Sequence, residues 1–223
     1  MDKRMDSILT ASVEELKSLL LRQRITKGVF KLPMKTQEAE KLILAALMGE
    51  IELRHGEYVP SITVDSNINN IAEWLTSSDR QFGMILCGKC GNGKTTLMRA
   101  VCTVINFLHI RDEFYNTTYS ISIVTAKDVA RMSKDESAKF RQLCKMRMLA
   151  VDDLGTEPSE VMDFGNISNP LVDLLETRYN DQNFTMITTN LTPEQLREKY
   201  GERITDRFNE MMKKIVFTGD SYR

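Results

Sequence analysis

A bilayer-spanning helix needs about 18 or more consecutive apolar residues, and no such run occurs in this 223-residue sequence. Charge of one sign is missing as well. Thirty Lys and Arg stand against 31 Asp and Glu, a formal net charge of −1, so bulk electrostatics supplies no general affinity for nucleic acid. Any such contact must come from a local patch. Only four cysteines are present, and the pair Cys87-x-x-Cys90 has neither a second CxxC nor a nearby histidine to complete a zinc set. Reduced cysteines are the expected reading. The two histidines, His55 and His109, are isolated and imply no chemistry. The start, Met1-Asp2-Lys3-Arg4, turns amphipathic within a few residues and does not read as a signal peptide, so a cytoplasmic location is expected. There is no internal repeat and no low-complexity stretch.

What is present divides near residue 60. Upstream, Ser12-Val13-Glu14-Glu15 reads as a capping box before Leu16, Leu19 and Leu20. After a break at Gly28 to Pro33, Ala39, Leu42, Ile43, Ala46 and Leu47 follow at i, i+3, i+4, i+7, i+8, the spacing of one buried helix face. Residues 1–57 are therefore expected to form a small helical module, and residues 58–223 a second domain. Two such helices bury too little to fold alone, so their stripes serve either packing or partner docking.

From Tyr58 onward strands alternate with helices, the pattern of an α/β fold with a mainly parallel sheet. A short helix around Ile68, Ile71 and Leu75 precedes five strand candidates: 84–87, 121–124, 148–151, 184–188 and 215–217. Thr125-Ala126-Lys127-Asp128, Asn169-Pro170 and Thr192-Pro193 each look like a helix start.

The segment Gly88-Lys89-Cys90-Gly91-Asn92-Gly93-Lys94-Thr95 matches G-x-x-x-x-G-K-[ST] between a strand and a helix. In that setting backbone N–H groups and the helix N-terminus wrap a nucleotide phosphate. Gly88, Cys90, Gly91, Asn92, Gly93, Lys94, Thr95 and Thr96 are thus the candidate ATP-binding residues, with Lys94 reaching the β/γ oxygens and the Thr95 hydroxyl a ligand for Mg²⁺. The strand Met148-Leu149-Ala150-Val151 ends in Asp152-Asp153, a Walker B arrangement. Asp152 would hold Mg²⁺ and Asp153 would act as base toward the attacking water. Alone this could be a buried strand meeting a polar turn; the phosphate loop upstream favours the catalytic reading. Asn190 closes the strand 184–188 at the sheet edge where ligands bind, and an amide there can position water. Taken alone, a turn-forming asparagine would explain it better.

Over roughly residues 58–223 these features resemble the AAA+ ATPases of the DnaC type, the replicative helicase loaders, and equally the IstB-type helper ATPases of insertion sequences. The resemblance rests on Val151-Asp152-Asp153-Leu154-Gly155, Ile187-Thr188-Thr189-Asn190-Leu191, the block Gly201-Glu202-Arg203-Ile204-Thr205-Asp206-Arg207-Phe208 and the ending Asp220-Ser221-Tyr222-Arg223. It implies a P-loop NTPase core with a five-stranded sheet, ATP and Mg²⁺ as cofactors, and ATP hydrolysis that is slow and oligomer-dependent. It also implies an arginine that reaches a neighbouring subunit's γ-phosphate, Arg207 first and Arg203 second by motif position, and a second sensor at Arg223. Many AAA+ proteins carry Glu where Asp153 stands, and no room for a C-terminal lid is expected after Phe217.

Lys127, Arg131, Lys134, Lys139, Arg141, Lys145 and Arg147 outnumber Asp128, Asp135 and Glu136 between the second and third strands. The resemblance brings single-stranded DNA near that stretch; solvated helix faces are the plain alternative. The function expected is ATP-dependent loading of a replicative helicase onto single-stranded DNA, with self-association through the ATP interface. Three alternatives stay open: a helper that marks target DNA for a transposase, a small-molecule P-loop kinase, and a nucleotide switch that scarcely hydrolyses.

Overall fold

The computed structural model of the chain describes residues 11–23, 29–112, 116–159, 161–163 and 166–218. The first helix among the described residues, α1 (Val13–Gln23), opens on the expected capping box: Glu15 N–H donates to the Ser12 hydroxyl at 3.2 Å and Ser12 N–H to the Glu15 carboxylate at 2.8 Å. Two longer helices follow, α2 (Thr36–Glu52) and α3 (Ile62–Thr76). Strand β1 (Gly83–Gly88) leads into α4 (Lys94–Phe107), and a two-residue hairpin, β2 (Arg111–Asp112) and β3 (Thr117–Thr118), precedes β4 (Ser122–Thr125). Helices α5 (Ala126–Asp135) and α6 (Ser137–Lys145) lead to β5 (Met148–Leu154), after which a second small hairpin forms from β6 (Val161–Asp163) and β7 (Asn166–Ser168). The chain continues through α7 (Pro170–Asn180), β8 (Phe184–Thr189), α8 (Pro193–Tyr200), α9 (Glu202–Met211) and β9 (Met212–Phe217). All three expected caps are made. Thr125, Asn169 and Thr192 accept N–H bonds from Asp128, Val172 and Gln195.

The five expected strands are those of the main sheet, ordered β4-β5-β8-β1-β9 and parallel throughout. Alternation sorts each strand between two cores. Met84 and Leu86 of β1, Met148 and Ala150 of β5, and Phe184 and Met186 of β8 face α2, α3 and α4. Ile85, Leu149, Val151 and Ile187 face the helices α5 to α9. Burial on both faces explains the continuous apolar run Met148-Leu149-Ala150-Val151 of β5. The two hairpins were too short to leave a periodic signal. Among the described residues no helix is long and apolar enough to cross a membrane.

The expected division near residue 57 is not a break in packing. Phe30, Leu32, Ala39, Ile43 and Leu47 lie in the same core as Trp74 and Met84. Leu32 N–H donates to the Leu75 carbonyl at 2.7 Å, and Phe30 meets Phe184 edge-on at 5.5 Å. The stripe on α2 is spent on α3 and α4, so residues 29–52 are structurally part of the same core as the sheet. Gly28, where the sequence placed the break, lies outside the described residues.

One buried cation organises the far side of the sheet. Arg178 is 0% exposed and donates to Thr185 Oγ1 (2.8 Å) and to the Phe184 and Met146 carbonyls, which joins the end of α6 to the start of β8. Burial pulls its guanidinium down to about 9. A buried acceptor left unpaired costs about 1–3 kcal/mol. Arg178→Leu strands at least two carbonyls and is expected to lower unfolding free energy by about 3 kcal/mol, measured by urea denaturation.

Candidate functional site

Three adjacent strands, β5, β8 and β1, end at the same edge of the sheet, and the candidate nucleotide and metal residues lie at those strand ends or just beyond them. The phosphate loop turns on Gly91 and Gly93, with φ of 84° and 85°, a region that side chains with a Cβ rarely enter. Gly93 then caps α4, whose first residue is Lys94. Asn92 braces the loop from beneath. Its Nδ2 donates to the Phe217 carbonyl at 3.2 Å, and its Oδ1 accepts from Lys94 Nζ at 2.9 Å.

Lys94 is 5% exposed, and its ammonium also donates to the carbonyls of Gly88 (2.8 Å) and Lys89 (2.6 Å). Burial lowers its pKa, while Cys90, Asp153, Cys87 and Asp152 act to raise it. The cation therefore lies within the loop with every proton directed at an oxygen, the electrostatic setting in which phosphate oxygens can replace loop carbonyls.

Asp152 and Thr95, the two expected metal ligands, are in direct contact. Asp152 Oδ1 accepts from Thr95 Oγ1 at 2.8 Å. Hard oxygen donors of this kind, a carboxylate and a hydroxyl beside a phosphate loop, suit Mg²⁺, and these are the residues that could hold it. The same oxygen accepts from Thr188 Oγ1 at 2.6 Å, and Thr188 Oγ1 in turn accepts the Asp153 N–H at 2.8 Å. Thr188 thus holds the Asp152 carboxylate and the Asp153 main-chain amide from the neighbouring strand. In the sequence Thr188 stands only as part of the block 187–191, with no role of its own, although a fully buried hydroxyl needs a partner.

Asp153 lies at a break in the β5–β8 register between Val151 and Leu154, with φ of 55°. Asn190 is the first residue past β8 and is exposed. Cys90 exposes its thiol, whereas Cys87 is buried beneath the loop, which raises its pKa. All four cysteines are free, and no cluster of metal-binding side chains occurs among the described residues. Thr96 accepts from Arg54 at 3.3 Å, which ties the end of the N-terminal segment to α4.

The two candidate arginines share α9 and one carboxylate. Arg207 Nη1 lies 2.8 Å from Glu176 Oε1 and its guanidinium 4.8 Å over the Tyr179 ring; Arg203 Nε lies 3.4 Å from the same oxygen. Their exposure differs sharply, 14% for the Arg207 side chain and 74% for Arg203. Arg223 lies outside the described residues.

The basic stretch sorts into two groups. Arg131 pairs with Asp128, Lys139 with Glu136, and Arg147 with the buried Asp112. Lys127, Lys134, Arg141 and Lys145 are exposed on α5 and α6 and make no ion pair among the described residues.

The IstB-like ATP binding protein profile matches residues 4–223. No curated protein matches the chain. Among solved structures, the DnaC helicase loader superposes with a TM-score of 0.55 at 21% identity, over 72% of this chain and 94% of that one. DnaI does so at 0.50 and 26% identity, over 63% of this chain and 72% of its own. DnaA from Aquifex aeolicus, bound to AMPPCP, gives 0.50 at 16% identity, over 71% of this chain and 48% of its own. At such identities the DnaC and DnaA likenesses describe the fold, an α/β P-loop NTPase core. With a profile match running almost end to end over a phosphate loop, a Walker B strand and the sheet order that joins them, the chain belongs to the family of IstB-like ATP-binding proteins.

Proposed function

We propose that this protein hydrolyses Mg-ATP at a site completed by a second copy of itself, and that the assembly loads a replicative helicase onto single-stranded DNA. The observation that carries the ATPase reading is the Thr95–Asp152–Thr188 chain of hydrogen bonds beside the folded-in Lys94. In this reading Thr95 and Asp152 hold Mg²⁺, which supplies charge neutralisation at the β- and γ-phosphates. Lys94 with the loop amides binds those phosphates. Asp153 takes the proton of the attacking water, and Asn190 orients that water. An aspartate at position 153 reaches less far than a glutamate, which suits slow turnover in a switch. Arg207 and Arg203 reach the neighbour's site, where an arginine finger is worth about 10³–10⁵ in rate.

Single-stranded DNA is assigned to Lys127, Lys134, Arg141 and Lys145, through phosphate contacts that weaken as salt rises. Because residues 29–52 belong to the core, the partner-gripping role of the 1–57 segment falls on α1, where Val13 is exposed.

The test is sizing of the full chain with and without a non-hydrolysable ATP analogue and an oligonucleotide. Growth in mass is expected only with nucleotide, and phosphate release per molecule should rise with protein concentration. Mass and specific activity that ignore both would sink the composite site, and phosphate found on an acceptor would make the protein a kinase. The family profile favours a second reading of the partner, a transposase. Full-length protein capturing a transposase and not a hexameric helicase would decide for it.

A further inference from the structure

The loop after the Walker B strand is anchored from 42 or more residues away. Glu157 has a fully buried side chain, and its carboxylate accepts the Gly155 N–H at 2.9 Å, the Tyr200 hydroxyl, and an ion pair from Lys199 Nζ at 3.2 Å. Lys199 Nζ also donates to the main-chain carbonyls of Gly155 (2.8 Å) and Glu157 (2.6 Å). Tyr200 is buried, and burial together with the Glu157 hydrogen bond raises its pKa far above the ordinary phenol range, so its proton stays with the hydroxyl. Two consecutive residues of α8 thus grip both main chain and side chain of one three-residue turn.

That turn determines where Asp153 lies. The Asp153 carbonyl accepts from Thr156 N–H at 3.2 Å and from Thr156 Oγ1 at 2.9 Å. Asp153 holds a left-handed φ of 55°, and Gly155 follows at 108° with its α-carbon pressed against Leu191; a Cβ there would lie 2.5 Å from Leu191 Cδ1. A non-glycine residue keeps such a conformation only when its surroundings dictate it. Thr188 fixes the amide before Asp153, and the Glu157 turn fixes the carbonyl after it. An active-site carboxylate must be held within about 0.5 Å to work, and such precision comes from residues behind it.

We propose that Glu157, gripped by Lys199 and Tyr200, is a positioning residue for Asp153 and sets the geometry of the hydrolytic step without touching nucleotide. This rests on the ATPase reading above. A role of this kind predicts a loss in turnover with nucleotide binding preserved, because the phosphate loop is anchored separately through Asn92 and Lys94.

The test uses full-length Glu157→Gln, which keeps the shape and removes the charge, and Tyr200→Phe, which removes one hydroxyl. Three quantities are measured: affinity for a fluorescent ATP analogue, kcat per titrated nucleotide site, and amide hydrogen exchange of residues 154–157 in nucleotide-free protein. For Glu157→Gln, kcat should fall tenfold or more, affinity should hold within threefold, and exchange at 154–157 should speed up. Tyr200→Phe should move kcat and exchange the same way by a smaller factor. Unchanged kcat per site in both variants overturns the proposal, and so does a fall in affinity that matches the fall in kcat. If wild-type protein binds the analogue yet releases no phosphate in any assembly state, the ATPase reading fails and this role falls with it. Failure of the ATPase reading therefore shows in wild type, and failure of the positioning role alone shows in the variants.

Discussion

Lys94→Ala is expected to reduce phosphate release by about 10²–10³, the scale on which removing one preorganised electrostatic donor acts. The reasoning starts from burial. Lys94 is the cation inside the phosphate loop, and its three acceptors are two loop carbonyls and Asn92. Removing it leaves a cluster of oxygens facing each other where an anion has to enter, so binding and turnover should both suffer. Affinity for an ATP analogue measured beside single-turnover hydrolysis checks this. Retention of both within twofold would remove Lys94 from the site.

The second large effect concerns the partner copy. Arg207→Ala is expected to cost about 10³-fold or more in assembled protein, the low end for arginine fingers, with a smaller loss for Arg203→Ala. Arg207 stacks on Tyr179 and faces Glu176, so its guanidinium is already oriented, whereas Arg203 is three-quarters solvated. A group that stabilises developing charge works best when its placement is fixed beforehand. Mixing gives the decisive result. Lys94→Ala and Arg207→Ala protein, each inactive, should recover a fraction of wild-type turnover when combined, because some interfaces then pair an intact Lys94 with an intact Arg207. No recovery would place the arginine in its own copy's site. Recovery with Arg203→Ala, and near-normal turnover of Arg207→Ala alone, would transfer the role to Arg203.

Much of this site is legible because its parts are local. A glycine-rich loop, a strand with two acids near its end and a strand followed by Asn190 are each written within about eight consecutive residues, and a parallel sheet gathers strand ends at one edge. What escapes is long-range. Thr188 matters only because β8 lies beside β5, a neighbour relation that sheet order decides. Glu157 and Tyr200 are 43 residues apart, and an acid in a loop reads as solvated until its burial is known. Arg178 reads as an ordinary polar helix position, yet it is fully buried because the end of α6 and the start of β8 offer it carbonyls. The division near residue 57 follows a real change in pattern, from helices to alternating strands. Core packing crosses it, since Phe30 and the stripe of α2 find their apolar partners on the sheet side. Exposure of the two arginines is likewise invisible to motif position.

The sole tryptophan, Trp74, has a further use. It is 2% exposed, lies 6.0 Å from Phe184, and carries the Lys31 ammonium 4.2 Å above its ring. Its fluorescence is therefore a built-in gauge of one seam, where the chain's early residues are stitched to the sheet. A red shift in emission reports that seam coming apart, with no dye or label attached.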